Sequence, residues 1–383
     1  MPKPPASAAN LKRLPGSVYS PLRSSGEGVP PSLCPLHVGD TWLLPPPGAR
    51  MEDLRTQDHA GLNRYTETRG EPELIDALVE KLRARNGFAA ERESLLVTAG
   101  ATAGLGCALA GVADPGDEVL ILAPFWPLIR GIAQALGATP VEVPFFDRVA
   151  SRDEALAAIR ERLTPRSVAL YLSSPSNPSG RVLPRAWLEA LAELARSENL
   201  WLLSDEVYED YVYRGEHVSL LSLAPERSIA CFSFSKAYGM AGNRIGYLAG
   251  PPQQVALAHR FGTHTYYCAP APSQRAALQV LRHGAGWVDE ARRLYAEVGS
   301  EAARRLGLAE PEGSTFLFLD VAQALDSRGL FGFLEDCAAD GVALAPGSSS
   351  GSAYESWVRL CYTSAPPEQV LSAVSVVAKR LAR

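Results

Sequence analysis

Residues 233–247 read SFSKAYGMAGNRIGY: an apolar, strand-like run (IACFSFS, from residue 229) feeds a lysine, and a glycine-rich turn follows. The lysine is Lys236. The chain carries 32 arginines but only five lysines, so a lysine at this junction is a poor candidate for a casual choice of cation. Arginine stays protonated in proteins, whereas a desolvated lysine can shed its proton, act as a nucleophile and form a Schiff base with a carbonyl cofactor. The plain alternative is a surface lysine at a strand end.

Working outward, LLSDEVYEDY (202–211) puts Asp205 at the end of a second apolar run. A carboxylate buried there calls for a cationic partner. The protonated ring nitrogen of pyridoxal 5'-phosphate (PLP) is such a partner, and a carboxylate beside it keeps the ring an electron sink. Tyr208, three residues on, can turn its phenol to the same ligand; the alternative is that Asp205 merely caps the next helix. VTAGATAGLG (97–106) runs from a strand through Gly100 into a helix. The first amides of that helix, at Ala101 and Thr102, would form an anion site. Neither GxGxxG nor GxxxxGK[ST] occurs there, which counts against an NAD-dependent dehydrogenase or a P-loop enzyme.

The same alternation extends along the chain. LLVTA, EVLILA, VALYLSS, LWLLSDEV, IACFSFS and IGYLAG recur between residues 95 and 250, separated by helix-like stretches such as WPLIRGIAQALG and PRAWLEALAELARSEN. Short β-prone runs joined by helices predict an α/β fold with a mostly parallel sheet covered on both faces. Residues 1–48 are rich in Pro, Ser and Gly and read as an arm with little regular structure. A large domain is expected over 49–270. More helical texture and the strand-like STFLFLDV predict a smaller α+β domain over 271–383.

Composition narrows the function classes. The net charge is -5 with no basic arm or stripe, which argues against nucleic acid or an anionic membrane as partner. Residues 95–113 lack charge, but they are largely Ala and Gly, so a membrane span is not expected. The amino terminus has no apolar signal core, and the six cysteines form no CxxC pair, so a cytoplasmic protein with free thiols is expected. The histidines at 37, 59, 217, 259, 264 and 283 show no ligand spacing; no metal is implied.

Taken together, these motifs resemble the fold-type I PLP enzymes, in particular the class I/II aminotransferases related to aspartate aminotransferase, over nearly the whole chain. The resemblance makes Lys236 the Schiff-base lysine, Ser233 and Arg244 phosphate ligands, and Gly100, Ala101 and Thr102 the phosphate loop. In SPSNPSG (174–180), Asn177 would bond the cofactor's phenolic oxygen, with Ser179 where Thr is usual. Asp205 and Tyr208 match an Asp-x-x-Tyr pair. Trp126, in APFWPL, would stack on the pyridine ring, the alternative being core packing.

NRYTETRGEPEL (63–74) resembles the segment whose tyrosine, here Tyr65, reaches a neighbour's phosphate, which implies a homodimer with shared active sites. LHVGD places Gly39 at the substrate carboxylate site. WVRLCYTSA places Arg359 where an arginine binds that carboxylate, a role its bidentate fork suits. One departure is SSSGSAYESWV (348–358), which lacks the Phe-Gly element often seen at the pocket rim. The implied activity is ping-pong transfer of an amino group from an L-amino acid to a 2-oxo acid, with the arm near Val18 and Tyr19 pointing to apolar or aromatic donors and 2-oxoglutarate as acceptor. Alternatives are a β-elimination lyase and a non-catalytic PLP-binding regulatory module.

Overall fold

Strands buried on both faces read as unbroken apolar runs, and the chain folds accordingly. The computed structural model describes residues 7–16 and 33–382. Seven strands form the main sheet: β1 (Leu95–Thr98), β2 (Glu118–Ala123), β3 (Thr139–Pro144), β4 (Ser167–Ser173), β5 (Trp201–Asp205), β6 (Ser228–Ser233) and β7 (Gly246–Ala249). Their order is β1-β7-β6-β5-β4-β2-β3. β7 runs antiparallel to both its neighbours, while β2 to β6 pair in parallel. The one strand of this sheet not foreseen is β3, TPVEVP. Its two prolines mask it as a strand, and they are tolerated because it lies at the sheet edge.

The uncharged window over 95–113 is not a span. It divides into β1 and the helix Ala101–Ala110, and among the described residues no helix is long and apolar enough to cross a membrane.

A smaller antiparallel sheet, β8 (Phe316–Asp320), β10 (Trp357–Cys361) and β9 (Ala345–Pro346) in that order, packs with the helices Ala285–Leu306 and Pro367–Leu381 around its own buried cluster. The long helix Ala285–Leu306 joins the two cores: Val288 packs with the main-sheet cluster and Ala291, Tyr295 and Val298 with the smaller one.

Register decides where chemistry can sit. Ser173 pairs with Asp205 and Asp205 with Cys231, while Gly246 pairs with both Thr98 and Ser233. The carboxyl ends of the parallel strands and the start of β7 therefore share one edge, where open α/β sheets bind ligands.

Candidate active site

A cavity of about 460 Å³ opens at that edge. It is lined by Gly39, Ala101, Thr102, Trp126, Asn177, Asp205, Tyr208, Ser233, Lys236, Arg244 and Arg359. Thus, among the described residues, every one given a role in the sequence analysis except Gly100 and Tyr65 is brought to one wall or another.

Lys236 sits on a single helical turn, Phe234–Ala237, entered through Ser233, whose Oγ accepts the Ser235 amide at 3.1 Å. Tyr211 holds this turn by donating its hydroxyl to the carbonyls of Lys236 and Ala237, at 3.0 and 3.1 Å. The Lys236 ammonium donates to the Gly39 carbonyl. Burial lowers its pKa, opposed by the Asp40 carboxylate, so the neutral amine that a nucleophile or base requires is favoured.

On one side of Lys236 lies a set of donors. Arg244 follows a 3-10 turn with φ 50°, in the left-handed region, and lays its guanidinium against Gly100. Gly100 has φ 82° and caps the helix Ala101–Ala110; a Cβ there would run into that guanidinium. A Cβ on Gly246 would come within 2.8 Å of the Ala101 amide nitrogen. The glycines thus keep a cradle clear where a cation, hydroxyls and a helix amino terminus meet, the donor set that suits a phosphate.

The other side is acidic. Asp205 is 3% exposed, with Oδ2 accepting from the Tyr171 hydroxyl at 2.7 Å. Burial outweighs that hydrogen bond and the Val207 amide, pushing the carboxyl up to about 6 from 3.8. A carboxylate so placed gains from an N–H⁺ partner. Phosphate cradle, amine and buried acid in one cavity fit PLP.

This acid has a measurable cost. In the unfolded chain Asp205 ionises near 3.8, so stability without cofactor should fall as pH rises from about 3.8 to about 6 and level off above that, by about 3 kcal/mol over the whole window. Urea melts of cofactor-free protein at pH 4.5 and 7.5 should show the loss, and Asp205→Asn should abolish it. An unchanged pH dependence in the variant would refute the assignment.

Arg359, on β10, is 2% exposed. It donates to Asn177 Oδ1 at 3.1 Å and to the His37 carbonyl at 3.0 Å, with its guanidinium 4.5 Å from the centre of the Phe316 ring. Tyr208 is buried, edge-on to Phe316. The rim without Phe-Gly is fastened otherwise. Phe125 N donates to the Ser350 carbonyl at 3.0 Å, and Glu142 accepts from Arg130 at 3.0 Å and from the Ser352 amide at 2.7 Å.

Tyr65 is 83% exposed, edge-on to Tyr267, and lies outside the cavity. In space, His217 comes together with two carboxylates: Glu206, Glu209 and His217 offer ligand atoms within 4.8 Å of one another. Their charge is met from within, since His217 Nε2 lies 3.0 Å from Glu206 and Lys81 pairs with Glu209. Folding, not sequence spacing, assembles this group.

Sequence reading missed His37, Val38, Leu105, Leu128, Val207, Ser235 and Phe316 on the cavity wall. Only Ser235, next to Lys236, Val38, next to Gly39, and Val207, next to Tyr208, carried a positional signal. Val18 and Tyr19 of the arm lie outside the described residues.

The model of the family "Aminotransferase class I and II" matches residues 33–377. The chain belongs to that family. This aminotransferase is 35% identical over 276 residues to the aspartate/prephenate aminotransferase of Thermus thermophilus, covering 72% of this chain and 69% of that protein. It is 34% identical over 316 residues to aromatic-amino-acid aminotransferase 2 of Thermococcus litoralis, covering 80% and 81%. Among solved structures it resembles the Thermus thermophilus aspartate aminotransferase with maleate, with a TM-score of 0.83 and 31% identity over 92% of each chain. The aminotransferase is therefore a PLP-dependent enzyme of amino-acid transamination, with the α/β architecture of fold-type I.

Proposed function

We propose that this aminotransferase works by a ping-pong mechanism in which Lys236 holds the cofactor covalently and, once freed by the amino donor, moves the substrate's α-proton. Bound PLP supplies an electron-poor ring that takes up the electron pair left when the α-C–H bond breaks. The observation that carries the reading is Lys236 itself, an amine with a lowered pKa between an anion cradle and a buried acid. Ser233, Arg244 and the amides of Ala101 and Thr102 hold the phosphate. Asp205 keeps the ring nitrogen protonated, Tyr208 and Asn177 orient the phenolic oxygen, and Trp126 covers the ring face. Arg359 takes the α-carboxylate beside Gly39. Lys236 then accepts the proton from the α-carbon and delivers it to C4′ of the cofactor.

Single half-reactions test this. A panel of amino donors should convert the cofactor from its aldehyde to its amine form, read by absorbance. Failure of every donor, together with pyruvate and ammonia from β-substituted amino acids, would reassign the enzyme as a lyase.

The exposure of Tyr65 supports a homodimer in which this side chain reaches the partner's phosphate. Mixing Lys236→Ala with Tyr65→Phe subunits, each impaired alone, should restore activity through hybrids with one intact site. Verified exchange without recovery would refute sharing.

We also propose an arm over 1–48, a large domain running from 49 into the helix Ala285–Leu306, past the boundary at 270 expected from the sequence, and a small domain beyond it. The packing of Ala276, Leu278 and Val280 with the main-sheet cluster favours a handover inside the helix Ala285–Leu306. Six free cysteines support a reducing, cytoplasmic setting.

A further inference from the structure

The charged groups on the cavity wall are Lys236, Arg244, Arg359 and Asp205, and the reading above gives each a task. What remains to face a substrate side chain is largely apolar: Val38, Leu105, Leu128 and Phe316. His37 is the exception. It is 8% exposed, lines the same cavity, and its Nδ1 meets no hydrogen-bond partner among the described residues. Its backbone carbonyl accepts from Arg359 Nη2 at 3.0 Å, which fixes the residue beside the proposed α-carboxylate site.

Burial and the Arg359 charge both hold the ring in its neutral form. A neutral imidazole has one N–H donor and one acceptor, and it can take up a proton when an anion arrives. An apolar substrate side chain would leave that polar ring stranded in an apolar wall, at a cost. A carboxylate would pair with it. The field also favours an anion, because Arg359 stands next to His37 and the one lining carboxylate, Asp205, is committed to the cofactor's ring nitrogen in the reading above.

We propose that His37 is a specificity-determining residue that donates a hydrogen bond to the side-chain carboxylate of dicarboxylic substrates, the acceptor oxo acid included. The proposal rests on the roles given to Lys236 and Arg359. A site built around such a bond discriminates strongly against analogues that lack the group. Monocarboxylic substrates bind through Arg359 and the apolar wall without using His37.

The test needs no turnover. PLP-loaded protein is titrated calorimetrically with glutarate and with butyrate, acids that carry no amino group, in the wild type, His37→Ala and His37→Gln. His37→Ala should weaken glutarate by about 10-fold or more, as expected for one charge-assisted hydrogen bond, and butyrate by no more than about twofold. His37→Gln, which keeps a donor, should recover part of the loss, and it carries the same comparison with His37→Asn if the alanine variant does not fold. Equal weakening of both acids would assign His37 to the α-carboxylate or to structure and overturn the proposal, as would unchanged glutarate affinity. Wild-type protein that binds both acids with the expected contrast yet fails every half-reaction would sink the proposed function and leave this inference standing.

Discussion

Lys236→Ala should lose turnover by on the order of 10⁴-fold, the full contribution of a positioned proton-transfer group, while still retaining PLP without a covalent link. The loss is expected in the single half-reaction as much as in the overall cycle, because no other amine lines the cavity among the described residues. Lys236→Arg should do no better. It preserves the charge, but a guanidinium cannot give up its proton to become a base. Borohydride reduction followed by peptide mapping should place the cofactor on residue 236 in the wild type. A covalent adduct in Lys236→Ala, carried by another lysine, would overturn the assignment.

For Arg359→Ala the expected result is a fall in kcat/KM of about 30- to 5,000-fold for every amino donor, the 2 to 5 kcal/mol of a buried charge pair broken on one side. The guanidinium is 2% exposed, rests on Phe316 and holds Asn177 Oδ1 at 3.1 Å. In the proposed reading its removal strips the substrate carboxylate of its partner and also frees Asn177, which would orient the cofactor. Kinetics with an apolar, an aromatic and an acidic donor should show similar losses. A loss confined to acidic donors would mean that Arg359 reads the side chain.

Much of this arrangement is legible in the amino-acid sequence. β2, β4, β5 and β6 announce themselves as apolar runs because both their faces are covered, and Asp205, Ser233 and Lys236 stand out because polar groups end or follow such runs. β3 was hidden by Pro140 and Pro144, which an edge position permits. Other parts are products of tertiary folding and leave no local mark. Tyr171 reaches Asp205 only because β4 lies beside β5. Phe316 comes under Arg359 through the pairing of β8 with β10, in which Phe318 stands opposite Arg359. His37 gave no signal either, since an isolated histidine in an extended arm looks the same whether it faces water or a cavity. Glu206, Glu209 and His217 were separable in sequence but meet only when the segment after β5 folds back.

The scarcity of amines has a practical reach. Of the lysines with described side chains, Lys12 and Lys379 stand in solvent, Lys81 is covered within its ion pair with Glu209, and Lys236 faces the cavity. An acylating reagent followed by mass spectrometry thus has few positions to mark, and labelling at residue 236 should track cofactor loss against the constant background of 12 and 379. Vacancy could be counted molecule by molecule in a crude preparation, without colour, substrate or a purified standard.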